Sequence, residues 1–209
     1  MITQHIRLVV AVVTLALLWG CSSAPATRFY VLTPVAQTPL AKPQVSADRA
    51  AAPVAVVIKD VRLPQYLDRS QIVTRSDGHR LQMSEFEQWG GNLREDMTRV
   101  LAVNLGQLLG SDRVIAVPYT VRLTPDYRLE VEVYRFEREA GGRVILSARW
   151  WIARGADATL IASHEASFSG VPLGEKSSYE MLVNSMSAVY GELAQAIARS
   201  IRSSEAVGS

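Results

Sequence analysis

Apolar and polar positions fall into regular spacing from Val54 onward. Val54 to Leu63 is rich in β-branched side chains and reads as a strand. Gln71 to Arg75 and Leu81 to Met83 read as a hairpin across Ser76-Asp77-Gly78-His79, where the Asp-Gly pair suits a tight turn. Ser84 followed by Glu87 fits a capping box that opens a helix. Gly90 and Gly91 would weaken its first turns, so a start near Asn92 is the alternative. Leu93, Met97, Val100, Leu101, Leu105, Leu108 and Leu109 then share one helical face, and Gly110 stands where a left-handed residue would end it.

Arg113 to Val117 reads as a further strand. Tyr127, Leu129, Val131 and Val133 alternate with Arg128, Glu130 and Glu132, the period of a half-buried strand. The alternation slips at Tyr134 and Phe136, which predicts a bulge. Ala140-Gly141-Gly142 turns the chain into Val144, Leu146, Ala148, Trp150 and Ile152, with Arg149 and Trp151 on the other face, and Leu160 to Phe168 supplies another strand. Ser177 with Glu180 predicts the cap of a last helix with an apolar face of Leu182, Met186, Val189, Tyr190, Leu193, Ile197 and Ile201. The expected fold is α+β: a mainly antiparallel or mixed sheet with two amphipathic helices packed on one face. The expected boundaries are a single domain over 54–203 and a disordered tail over 204–209.

The N-terminal part follows different rules. Arg7 precedes an apolar run from Leu8 to Leu18, too short to span a bilayer, and Leu18-Trp19-Gly20-Cys21 closes it in the order of a lipoprotein signal peptide over 1–20. Cys21 is the only thiol in the chain and the expected lipid-attachment site, carrying palmitate or a related acyl group. Trp19 departs from the small or β-branched residue usual at its position. Ser22 follows the cysteine where an Asp would retain the protein at the inner membrane, so the expected location is the periplasmic face of the outer membrane. Residues 21–53 hold Arg28-Phe29-Tyr30-Val31-Leu32, a short strand that must join a sheet made by later residues. They also hold a Pro- and Ala-rich stretch from Thr33 to Pro53 that reads as a tether.

Cleavage leaves about 189 residues, enough for one core. With Cys21 acylated no thiol remains for a disulfide or a thiolate zinc site. Lys plus Arg is 22 against 20 for Asp plus Glu, without a block of either sign, so nucleic acid is not an expected partner. His79 and His164 lack the spacing of a zinc-binding helix face, Ser169-Gly170 is only a fragment of a hydrolase elbow, and Glu175 interrupts the Gly-Lys adjacency of a phosphate loop. No catalytic residue, metal or cofactor is expected, and the chain reads as a non-enzyme.

The segment joining the first two strands is unusual for a connection. Leu63, Pro64, Tyr66 and Leu67, with Asp68 and Arg69, place apolar side chains and arginine where a polar link would serve. Two roles suit them, covering the end of the sheet or contacting a partner. Replacing Tyr66 and Leu67 with polar residues is expected to weaken partner capture and leave the fold intact. Trp89 and Trp151 suit core packing first, and Trp151 is kept beside the loop residues as a candidate contact.

The run Val61-Arg62-Leu63-Pro64-Gln65-Tyr66-Leu67-Asp68-Arg69-Ser70-Gln71-Ile72-Val73-Thr74-Arg75 resembles the PqiC/YmbA lipoproteins, also described as ABC-type transport auxiliary lipoproteins. Phe86, Trp89 and Arg99-Val100-Leu101-Ala102-Val103-Asn104-Leu105 extend the likeness. Gly90-Gly91 departs from the Ala-Glu-Pro type of turn common in that family. The resemblance implies an outer-membrane lipoprotein that docks with a mammalian-cell-entry (MCE) domain protein of the PqiB-like kind, reaching across the periplasm in an intermembrane lipid transport system. A homo-oligomeric ring would match a symmetric tubular partner. The rival expectations are a periplasmic lipid carrier, a structural envelope lipoprotein without a transport role and, last, a hydrolase.

Overall fold

The computed structural model describes residues 25–35, 53–118, 123–174 and 177–208. Residues 1–20, Cys21 and 36–52, where the signal peptide, the lipid-attachment site and most of the tether are expected, lie outside the described residues.

The eight strands are β1 (Arg28–Tyr30), β2 (Val56–Arg62), β3 (Gln71–Arg75), β4 (Leu81–Trp89), β5 (Val114–Ala116), β6 (Tyr127–Arg138), β7 (Val144–Arg154) and β8 (Leu160–Ser169). The helices are α1 (Leu93–Leu109) and α2 (Tyr179–Gly208). Strand β6 is the spine of one mixed sheet. Along one side it pairs antiparallel with β7 over its whole length, and β7 carries β8 outward. Along the other side it pairs in parallel first with β2 and then, at Arg138, with β3. Beyond β2 lies β5, and beyond β3 lie β4 and then β1, which adds in parallel through Arg28, Phe29 and Tyr30. The N-terminal strand therefore joins a sheet built by later residues, as its sequence requires.

The expected bulge in β6 is present, since the register against β7 shifts between Val133 and Arg135. Leu146, Ala148, Trp150 and Ile152 are buried on the helix side, as are Leu129, Val131, Val133 and Phe136 from β6. The predicted apolar faces of both helices are buried in full, and Tyr190 of α2 donates its hydroxyl to the Met97 carbonyl of α1 at 3.0 Å. The fold is α+β, with two helices over a curled sheet.

Two helix starts differ from the sequence reading. Residues 81–89 are strand, and α1 begins at Leu93 with the Asn92 side chain accepting from the Glu95 amide at 3.2 Å. The Ser84 hydroxyl does accept from the Glu87 amide at 3.2 Å, but that bond closes an irregularity in β4, whose register against β3 jumps between Gln71↔Gln88 and Val73↔Met83. A short-range signal that usually caps a helix here shapes a bulge instead. In α2 the cap falls on Ser178, which accepts from the Met181 amide at 3.3 Å, one residue after the expected Ser177. The same helix continues to Gly208 across positions assigned from sequence to a tail. Gly110 ends α1 at φ 62°, the left-handed conformation that favours glycine.

Candidate functional site

The connection from β2 to β3 crosses a gap in the sheet. Strand β2 stops opposite Glu132, and β3 resumes opposite Arg138, so the β6 residues between them lack a partner strand on that side. Residues 63–70 occupy that side as a compact turn, with Leu67 donating its amide to the Pro64 carbonyl at 2.9 Å and Asp68 to the Gln65 carbonyl at 3.3 Å. The Tyr66 hydroxyl reaches over to the Tyr134 carbonyl at 3.3 Å and to Glu137 Oε2 at 2.8 Å. The turn is thereby tied to the backbone of β6 at its bulge.

Glu137 is the anchor of this arrangement. Its side chain is 0% exposed, and it accepts from the Tyr66 hydroxyl, from Arg75 Nε and Arg135 Nε at 3.0 Å each, and from the Phe136 amide at 3.0 Å. Burial alone would raise its pKa, but the hydrogen bonds from Tyr66, Arg135 and Arg75 outweigh it and hold the carboxyl below its usual range. Burial, followed by the bond to Glu137, pushes the Tyr66 phenol well above its ordinary value.

Of the loop residues singled out from the sequence, Leu67 is 2% exposed and belongs to the core, while Leu63 and Tyr66 pack half-buried against it. These side chains cover the sheet end. The expectation that polar replacements at Tyr66 and Leu67 leave the fold intact does not suit this packing. The outward positions are Gln65, Asp68 and Ser70, with Pro64 and Arg69 half-buried. Asp68 is tied to Arg94 of α1 at 2.9 Å, and Arg69 reaches the Met83 sulfur at 2.7 Å. Trp151 stands apart from Tyr66 and Leu67, on the sheet face away from the helices, where the Arg62 guanidinium lies 5.5 Å from its ring and bonds Glu130 at 3.2 Å. Arg149 lies 6.0 Å from the Tyr134 ring on that same face.

Sequence reasoning missed a second polar system, which fastens the N-terminal segment. Past β1, the Leu32 amide donates to Asp96 at 2.6 Å, the Thr33 amide to the Ser187 hydroxyl at 3.2 Å and the Val35 amide to Asn104 at 3.1 Å. The segment thus runs across both helices and is held by side chains from each. Arg28 and Tyr30 of β1 both bond Glu87, a buried residue of β4. Burial, followed by that bond, pushes the Tyr30 phenol up to about 12. Buried Asn104 and Ser187 within helix faces were the available signal, because a polar residue on an apolar stripe needs a partner.

His79 is exposed in the β3–β4 turn, and His164 stacks on Trp150 with ring centroids 5.4 Å apart. No group of three or more metal-ligating side chains occurs among the described residues, and no helix among them is long and apolar enough to cross a membrane. Between β8 and the C-terminal half of α2 the sheet and the helix part to leave a cleft of about 1160 Å³.

A family model described as the ABC-type transport auxiliary lipoprotein component matches residues 30–198. The fold is similar to that of protein XCC0632 from Xanthomonas campestris, with a TM-score of 0.68 at 14% identity, over 87% of this chain and 100% of that one. An uncharacterised protein of solved structure is similar at a TM-score of 0.66 and 17% identity, over 85% of this chain and 99% of that one. No curated protein matches the chain.

Proposed function

The chain belongs to the family of ABC-type transport auxiliary lipoproteins, and on that premise we propose that it is a non-enzymatic docking component of an intermembrane lipid transport system. In this reading Cys21 carries the lipid that holds it to the periplasmic face of the outer membrane, and the domain meets the tip of a periplasm-spanning MCE-domain protein. The observation that carries the docking surface is the fastening of the β2–β3 loop. Tyr66 and Leu67 lock it from beneath through Glu137 and the core, so Gln65 and Asp68 are presented outward on a fixed backbone. A preorganised loop loses little freedom on binding.

Arg62 and Trp151, joined face to cation at 5.5 Å, extend that surface across the outer face of the sheet. Arginine and tryptophan are the side chains most favoured at binding hot spots. The fastened N-terminal segment suits the same role, because the lipid anchor then leads into a chain stitched to both helices, and the domain is held close to the bilayer.

The test is affinity purification of the full-length chain from detergent-solubilised envelopes, with mass spectrometry of what accompanies it. Recovery of an MCE-domain protein, lost on the paired change Gln65→Arg and Asp68→Arg, is the expected result. Recovery unaffected by that change removes the loop from the interface, and the absence of any transport component contradicts the docking role.

A further inference from the structure

The cleft between β8 and α2 is of the size of a ligand site, which for small molecules runs to about 1000 Å³. Its helix wall is made of small side chains, Ala196, Ser200 and Ser203, at spacings that place them on one face of α2. Its sheet wall is Ala162 and Trp150. Trp150 is 3% exposed, and its Nε1 is buried without a hydrogen-bond partner. A buried donor left unpaired is destabilising, and proteins rarely keep one.

The charges at the cleft are also unequal in their engagement. Asp126 accepts from the Ala55 amide at 2.7 Å, and Glu205 pairs with Arg202 at 3.1 Å. Arg154 and Arg199 border the same cleft, and neither has a salt-bridge partner among the described residues. The site thus offers a slot walled by small side chains, apolar at Trp150, Ala162 and Ala196 and polar at Ser200 and Ser203, with an indole N–H that the protein does not use and two guanidinium groups without an ion pair among the described residues.

We propose that this cleft binds a single-chain amphiphile with a carboxylate or phosphate head. The apolar stem lies along Trp150, Ala162 and Ala196, the acid group sits between Arg154 and Arg199, and an oxygen of the head takes the Trp150 N–H. A guanidinium recognises both acids through the same pair of parallel hydrogen bonds, so the geometry selects the charge and the stem rather than one head. The site lies on β7, β8 and α2, away from the β2–β3 loop, and it does not depend on the docking role.

The experiment is photolabelling of the full-length chain in isolated envelope membranes with three diazirine-bearing probes: a palmitic acid, a lysophosphatidic acid and a hexadecyltrimethylammonium. The adducts are mapped by mass spectrometry. Either acidic probe is expected to label peptides of β8 and the C-terminal half of α2. Arg154→Gln and Arg199→Gln, both at exposed positions, should each cut that labelling about tenfold, as loss of a charge-assisted hydrogen bond implies. Trp150→Phe keeps the ring and should cut it several-fold. Equal labelling by the cationic probe, labelling unmoved by both arginine changes, or adducts spread evenly over exposed apolar residues such as Phe29 and Val171 would overturn the proposal. So would the absence of any acyl adduct in the peptides of β8 and α2.

Discussion

The β2–β3 loop and the β8–α2 cleft are built by opposite rules. In the loop, the buried acid Glu137 has four donors, and the apolar side chains close over the sheet end. In the cleft, a buried donor has no acceptor, and two arginines lack ion pairs among the described residues. Tyrosine, leucine and arginine crowded into a connection drew attention in the sequence, and Tyr66 and Leu67 are fastened there to Glu137 and the core. Trp150 drew none beyond its place in a strand, yet it lines the opening. Residue type marks what a side chain is able to do, and satisfaction of its polar atoms marks whether that capacity is already spent.

Changes at Glu137 should break the contrast most strongly. Glu137→Gln removes the charge that faces Arg75 and Arg135 and should cost about 3–5 kcal/mol in urea unfolding, the range for breaking a buried pair from one side. The wild-type protein carries a pH signature of the same group. The folded carboxyl titrates below the 4.5 of the free side chain, so its contribution is complete above that value. Stability is then lost as pH falls through 4.5 and below, because the unfolded chain takes up the proton first. A melting-temperature series from pH 7 to pH 3 should show a shallower fall in Glu137→Gln than in wild type.

Leu67→Ala comes next, at about 2–5 kcal/mol for a buried leucine, measured by the same unfolding midpoint. Asn92→Ala should cost about 1 kcal/mol, the usual value of a helix cap, and should lower the amide protection of the first turn of α1 in hydrogen exchange. Asp68→Ala is the smallest, under about 1 kcal/mol, because its pair with Arg94 is exposed to solvent. A loss near that of Leu67→Ala would erase the distinction between the inner and outer sides of the loop.

The repeating parts of the fold were legible because each element follows one period. Burial of the α1 face from Leu93 to Leu109, the alternation along β6 and the slip at Tyr134 all follow from spacing alone. The start of α1 was not, since Ser84 and Glu87 form the hydrogen bond of a capping box inside a strand, and only the partner strand decides which structure that bond serves. The order of strands around β6 was also beyond reach, because parallel pairing joins segments far apart in the chain. The roles of Tyr66 and Leu67 stood open between cover and contact, and the bond that shows their part in the cover runs to Glu137, some 70 residues away. The cleft has no sequence signature, because it arises where the sheet and α2 part, between residues far apart in the chain.

The proposed docking role requires the outer side of the loop to be the partner-facing surface. A photo-reactive benzophenone amino acid placed at position 65 or, for comparison, at the exposed position 192 on α2, tests this in living cells. An adduct with an MCE-domain protein from position 65 and none from position 192 is the predicted result. An MCE adduct from position 192 alone, or none from position 65 in a protein that folds and reaches its membrane, would contradict it.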